Sequence, residues 1–155
     1  MSERLLTAHF PLAEFLRSEY AVRHGRELRD PPSGVVANLF RLCTTCLEPL
    51  RVALGRPLVV LSGWRPQWLN EAVGGSMSSA HLYGRGADIV CPGMPPRELA
   101  GYITRHPVPF DQLILEFPPA GWVHIGIAPD GVPPRGEILT ATKRAGITHY
   151  SEGLQ

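Results

Sequence analysis

Ser79-Ala80-His81-Leu82-Tyr83-Gly84-Arg85-Gly86-Ala87-Asp88-Ile89-Val90 is the stretch on which the reading of this chain turns. An imidazole and a carboxylate are separated by a turn carrying two glycines, and Asp88 falls in Ala87 to Val90, a short apolar run that reads as a buried strand. Toward the C-terminus, Leu113 to Phe117 and Trp122 to Ile127 are two more such runs. The short connection Pro118-Pro119-Ala120-Gly121 predicts that they pair as an antiparallel hairpin, with His124 on its second strand. On the N-terminal side, Leu58 to Leu61 reads as a strand, and Pro66 to Val73 as a short helix ended by Gly74-Gly75. Before that the apolar period is helical. Pro11 to His24 predicts a first helix through Leu12, Phe15, Leu16 and Tyr20. Val35 to Leu54 predicts a longer one, kinked or shortened at Pro49. Pro95 to His106 is a third helix, and the tail 136–155 is expected to add an edge strand near Ile138. Helices first and short strands after them indicate an α+β domain, with N-terminal helices packed on a small, mainly antiparallel sheet.

A chain of 155 residues, 44% hydrophobic and 19% charged, has the length and composition of one globular domain. Residues 1–155 are read as that single domain, with a core at about 9–128 and a C-terminal tail at 129–155. A net charge of +1 gives no electrostatic reason to expect nucleic acid or an anionic membrane as a partner. Sixteen glycines and sixteen prolines predict many turns, and loops are where sites are built. No run approaches the roughly 20 apolar residues of a membrane span. Met1 to Phe10 lacks the apolar centre of a secretory signal, so the product is expected in the cytoplasm as synthesised, and as a monomer. Cys43 and Cys46 form a C-x-x-C without a second pair; spaced three apart in a helical pattern, they read as core cysteines, with redox or metal work as the alternative.

His81, Asp88 and His124 together offer two imidazoles and a carboxylate. That donor set suits zinc and leaves the fourth tetrahedral position for water or substrate, as in a catalytic rather than a structural site. Taken singly, His81 reads as a loop residue and Asp88 as a turn former, because this spacing is not a general zinc signature.

The ordered series of motifs is more specific. Ser79-x-His81-x-x-Gly84-x-Gly86-Ala87-Asp88 followed by Trp122-x-His124 resembles the M15 family of zinc peptidases, and within it the phage and prophage branch of D-alanyl-D-alanine carboxypeptidase-like proteins. Phe10-x-Leu12-x-Glu14-Phe15, Leu47-Glu48-Pro49-Leu50-Arg51, Ser62-Gly63-Trp64-Arg65, Asn70-x-x-Val73-Gly74-Gly75 and Phe110-Asp111-Gln112-Leu113-Ile114-x-Glu116 extend the likeness over residues 9–128. The resemblance implies a hedgehog/D-Ala-D-Ala peptidase-like fold and zinc held by His81, Asp88 and His124. It also implies hydrolysis of a D-Ala-D-Ala or L-Ala-D-Glu type bond in a peptidoglycan stem peptide. The family's substrate-carboxylate arginine carries over onto Arg65, whose planar guanidinium can grip a carboxylate with two parallel hydrogen bonds.

One departure bears on mechanism. Many M15 enzymes place a glutamate three residues before the last histidine, where this chain has Gly121. Glu116 is the candidate general base instead, a carboxylate in an apolar strand where burial without a role is costly. If Phe117 opposes Val123, Glu116 falls opposite His124; a one-residue slip would turn it to the other face. Ser79 is expected to touch substrate or orient His81, Asp111 to do likewise or cap a turn, and Trp64, Tyr83 and Trp122 to line a groove or fill core. His9, His24, His106 and His149 match no ligand pattern. The absent glutamate feeds a rival reading, a zinc-bearing wall-binding or virion module with little catalysis.

Overall fold

The computed structural model describes residues 3–155. The expected first helix is broken in two, a 3-10 turn at Leu12–Leu16 and α1 at Glu19–Arg23. Two local bonds explain the break. The Phe15 carbonyl accepts from the Trp64 amide at 2.9 Å, and the Ser18 hydroxyl accepts from the Ala21 amide at 3.2 Å and so caps α1. A serine at this position starts a helix rather than continuing one.

The long helical run survives Pro49 by widening. α2 (Ser33–Leu42) passes through a π turn at Cys43–Leu47 into α3 (Glu48–Leu54), with the Glu48 amide reaching back to the Cys43 carbonyl. Proline lacks the amide of the regular ladder and its ring crowds the carbonyl four residues back, which a π turn relieves. Leu39, Leu42, Cys43, Cys46, Leu47 and Leu50 are fully buried along this run, whereas Phe40 stays exposed. α2 contacts the 3-10 segments at 12–16 and 80–83, and helix α5 (Pro96–Thr104) contacts β5 and β6 of the sheet described next. No helix among the described residues is long and apolar enough to cross a membrane.

A two-stranded ribbon, β1 (Leu5–Thr7) and β2 (Phe10–Pro11), opens the chain. The main sheet has six strands: β3 (Val59–Ser62), β4 (Gly86–Val90), β5 (Gln112–Glu116), β6 (Trp122–Gly126), β7 (Glu137–Arg144) and β8 (Ile147–Glu152). Their order is β3-β4-β6-β5-β7-β8, antiparallel except for the parallel pair β5–β7. A short helix α4 (Gln67–Ala72) links β3 toward the ligand loop. The tail therefore contributes two strands where one edge strand was expected, and β7 lies inside the sheet. Its sequence, Glu137-Ile-Leu-Thr-Ala-Thr-Lys-Arg144, carries too little apolar signal to reveal that. The β7–β8 turn uses Ala145 and Gly146 at φ 50° and 77°, a left-handed pair usually written Asn-Gly.

Alternation gives the sheet two chemically distinct faces. Ala87, Ile89, Leu113, Leu115, Val123 and Ile125 are fully buried and join Leu99, Ala100 and Ile103 of α5 in one core. The opposite face carries Asp88, His124, Ile114 and Glu116. The predicted hairpin β5–β6 is present with a different register: Ile114 opposes His124, and Glu116 opposes Trp122. The difference from the expected alignment is two residues, so Glu116 keeps the face of His124 and stands diagonal to it. The cause is the loop. Phe117 adopts φ 53°, and its carbonyl accepts from the Gly121 amide at 3.0 Å, so the connection begins one residue earlier than read.

Gly121 is obligatory in that loop, since a Cβ there would lie 1.7 Å from the Glu116 carbonyl oxygen. Gly121→Ala is expected to cost about 3 kcal/mol, the upper range for overpacking, read as a lowered midpoint in urea denaturation. A loss below about 1 kcal/mol would mean that the loop rearranges freely.

Candidate metal centre

His81 stands on the 3-10 turn Ala80–Tyr83, whose N-cap Ser79 accepts the His81 amide through its hydroxyl at 3.3 Å. The turn ends at Gly84 with φ 72°, where a Cβ would also meet the Val35 carbonyl at 2.7 Å, so only glycine permits the chain to return into β4. The His81 ring is fixed by its Nδ1–H, which donates to the Gly63 carbonyl at 2.7 Å. That bond assigns the tautomer and leaves the Nε2 lone pair facing inward. Asp88 and His124 are directly opposed on β4 and β6.

The three side chains meet at one point. His81 Nε2 lies 3.1 Å from both Asp88 Oδ1 and His124 Nδ1, and His124 Nδ1 lies 3.0 Å from Asp88 Oδ1. All are buried, at 1%, 7% and 5% exposure for His81, Asp88 and His124. With Nδ1–H of His81 committed to Gly63, at least two acceptor atoms face each other at contact distance, an arrangement that repels unless a positive charge sits among them. Burial alone would raise the Asp88 pKa, but the two facing imidazoles hold it well below the ordinary carboxylate range. Burial lowers the pKa of His81, with Asp88 opposing. A carboxylate shifted toward its ionised form and a His81 imidazole shifted toward its neutral form tend toward the protonation states that metal ligands require. Bonds of about 2.0–2.1 Å to a tetrahedral ion would separate its ligands by roughly 3.3 Å, close to the spacing found. Among the described residues no fourth histidine, cysteine or carboxylate joins the cluster.

Around it lie a half-buried acid and a half-buried base. Burial, then the charge of Asp88, pushes the Glu116 carboxyl up to about 7, while His124 and Arg65 oppose the rise. Arg65 is coupled to Asp88 and Glu116 in turn, and burial lowers its pKa. Arg65 Nε and Trp122 Nε1 are both buried without a hydrogen-bond partner among the described residues. Unpaired buried donors are costly and mark places where a ligand's oxygens are wanted.

Other residues singled out by the sequence are placed elsewhere. Trp64 belongs to the core at 9% exposure, while its neighbour Arg65 is half-buried and feels the charges of Asp88 and Glu116. Tyr83 is exposed, with the Arg85 guanidinium 4.8 Å from its ring centroid. Asp111 binds the Arg135 guanidinium at 2.8 Å and the Arg135 amide at 2.8 Å, which fastens the loop before β7 and leaves it no part in the cluster. Cys43 and Cys46 are buried free thiols; burial raises Cys43 and pushes Cys46 up to about 11, the opposite of an activated thiol. His9 pairs with Glu48, and His24 and His106 stack on Tyr20 and Tyr102. The group the sequence could not reveal is the Gly63 carbonyl, since a backbone acceptor leaves no mark in residue type.

Two imidazoles and one carboxylate, with no fourth such side chain among the described residues, place this protein among those able to hold a single divalent ion by three residues. The chain belongs to the Peptidase M15 family, whose profile matches residues 8–126 and so spans all three candidate ligands. M15 proteins are zinc peptidases, and no curated protein matches the chain.

Purified protein reconstituted with Zn²⁺ is expected to hold one ion per chain by elemental analysis. Asp88→Ala and His81→Ala should each lose it on dialysis against a weak chelator. Retention of a full equivalent by both variants would place the metal elsewhere.

Proposed function

We propose that the protein is a zinc-dependent peptidase that hydrolyses an amide bond in peptidoglycan stem peptides, of D-Ala-D-Ala carboxypeptidase or L-Ala-D-Glu endopeptidase type. The observation that carries this reading is Glu116. It is a half-buried carboxyl on the sheet face of Asp88 and His124, coupled to both and to Arg65, yet outside the ligand cluster. In this reading residues 1–155 form one M15-like catalytic domain of the phage or prophage branch. It works as a monomer and reaches the wall after release or export.

His81, Asp88 and His124 would hold the ion. When bound, zinc supplies Lewis acidity toward the carbonyl and lowers the pKa of water. The protein's own groups do the rest. Arg65 binds the substrate carboxylate and fixes the peptide's direction, using the guanidinium whose Nε lacks a partner. Glu116 takes a proton from the attacking water and returns it to the leaving amine, a role suited to a carboxyl near neutrality. Ser79 acts through its bond to the His81 amide and borders the substrate. Trp122 lends its unpaired indole N–H beside Glu116.

A second reading, a zinc-bearing wall-binding or virion module, draws on Gly121 standing where many M15 enzymes have glutamate. The loop geometry weakens that inference. No side chain fits at 121, because the Glu116 carbonyl occupies the space of its Cβ, so a carboxylate must come from another position.

Glu116→Gln separates the two readings. It is expected to keep its zinc while kcat on stem peptides falls by about 10²–10⁴-fold, the usual contribution of a general base. Unchanged turnover would remove Glu116 from the mechanism. The same group sets a pH dependence. A general base works deprotonated, so kcat/KM rises with pH through the Glu116 pKa. A bound cation draws a carboxyl downward, which puts the midpoint of that limb at or below about 7. The limb should vanish in Glu116→Gln.

A further inference from the structure

The face that holds the cluster continues past Glu116 into strands beyond the family match. Trp122 opposes Glu116, Glu116 opposes Ala141, and Ala141 opposes Tyr150, so the four side chains form one row on one face. The adjacent row runs Asp88, His124, Ile114 and Leu139. Ala141, small and fully buried, separates the two long side chains, Glu116 and Tyr150, on strands about 10 Å apart. Tyr150 is 61% exposed. Partial burial, then the Glu116 charge, raises its pKa, so the O–H remains a donor at neutral pH.

Lys143 stands two residues beyond Ala141 on the same face. It pairs with Thr148, which makes it a diagonal neighbour of Tyr150, within reach at roughly 7–8 Å between backbones. Its ammonium lies 5.2 Å from the Phe117 ring centroid, at the end of β5 next to Glu116. A phenol donor and an ammonium at diagonal positions of one face can converge on an anionic oxygen. Arg65 follows β3 at one end of the strand order, and Tyr150 stands on β8 at the other, with the ligand strands β4 and β6 between them.

We propose that the hairpin β7–β8 forms a wall of the substrate groove, and that Tyr150 and Lys143 bind a carboxylate of the peptide on the side of the scissile bond away from Arg65. The inference rests on the peptidase reading and adds to it a specificity for acidic peptides, supplied by residues outside the matched segment 8–126.

The test uses a stem peptide in two forms, one with a free carboxylate on that side and one with the carboxamide. Zinc-loaded wild type, Tyr150→Phe and Lys143→Gln are compared on both. In each variant, KM for the carboxylate form is expected to rise about tenfold or more, the loss of a hydrogen bond to a charged group. kcat, zinc content and melting temperature stay level, and the carboxamide form is unaffected. An unchanged KM, or an equal rise for both forms, overturns the proposal and leaves the peptidase reading standing. Absence of turnover by wild type on either peptide counts against the peptidase reading instead. Calorimetric binding of the same pair then decides: a carboxylate preference that both variants lose supports the groove, and no preference overturns it.

Discussion

The site depends on one pairing, Asp88 directly opposite His124 on neighbouring antiparallel strands. Register fixes which face each side chain takes, and a slip of one residue would turn the carboxylate into the core beside Ala87 and Ile89. The third candidate ligand is brought to this pair by a turn that only glycine at 84 can close. The Gly63 carbonyl then holds its ring in one tautomer. Strand pairing, a glycine and one backbone acceptor thus place three donor atoms within 3.1 Å of each other.

The same sheet face shifts two carboxylates in opposite directions. Asp88 is surrounded by imidazoles and stays ionised despite its burial. Glu116 stands back from them, and burial first, then the Asp88 charge, raises the pKa of its carboxyl. Environment rather than residue type sets the two apart. Burial lowers the pKa of Arg65, and the charges of both carboxylates oppose that fall.

Much of this was legible in the residues. Strands with strong apolar runs, such as Leu113 to Phe117, lie within a residue or two of their expected bounds, and the hairpin is where Pro118–Gly121 implied it. His81, Asp88 and His124 were found through motif order, and they converge. Three features were hidden for separate reasons. The break at Arg17–Ser18 depends on a bond from the distant Trp64 amide. The hairpin register depends on a left-handed Phe117, a conformation bulky residues rarely adopt. The inner strand β7 pairs in parallel with β5 after a long connection, and its polar sequence gives no period to read.

The parallel pairing of β5 and β7 also governs where the chain can be cut. β5 lies between β6 and β7, and the C-terminal end is fastened by the Gln155 amide bonded to the Thr140 hydroxyl at 3.0 Å. A fragment stopping where the family likeness stops would keep every candidate ligand. It would also bare one flank of β5, a row of unsatisfied amides and carbonyls beside the apolar side chains Leu113, Ile114 and Leu115. Such an edge invites pairing with another copy, so the last thirty or so residues guard the molecule against self-association.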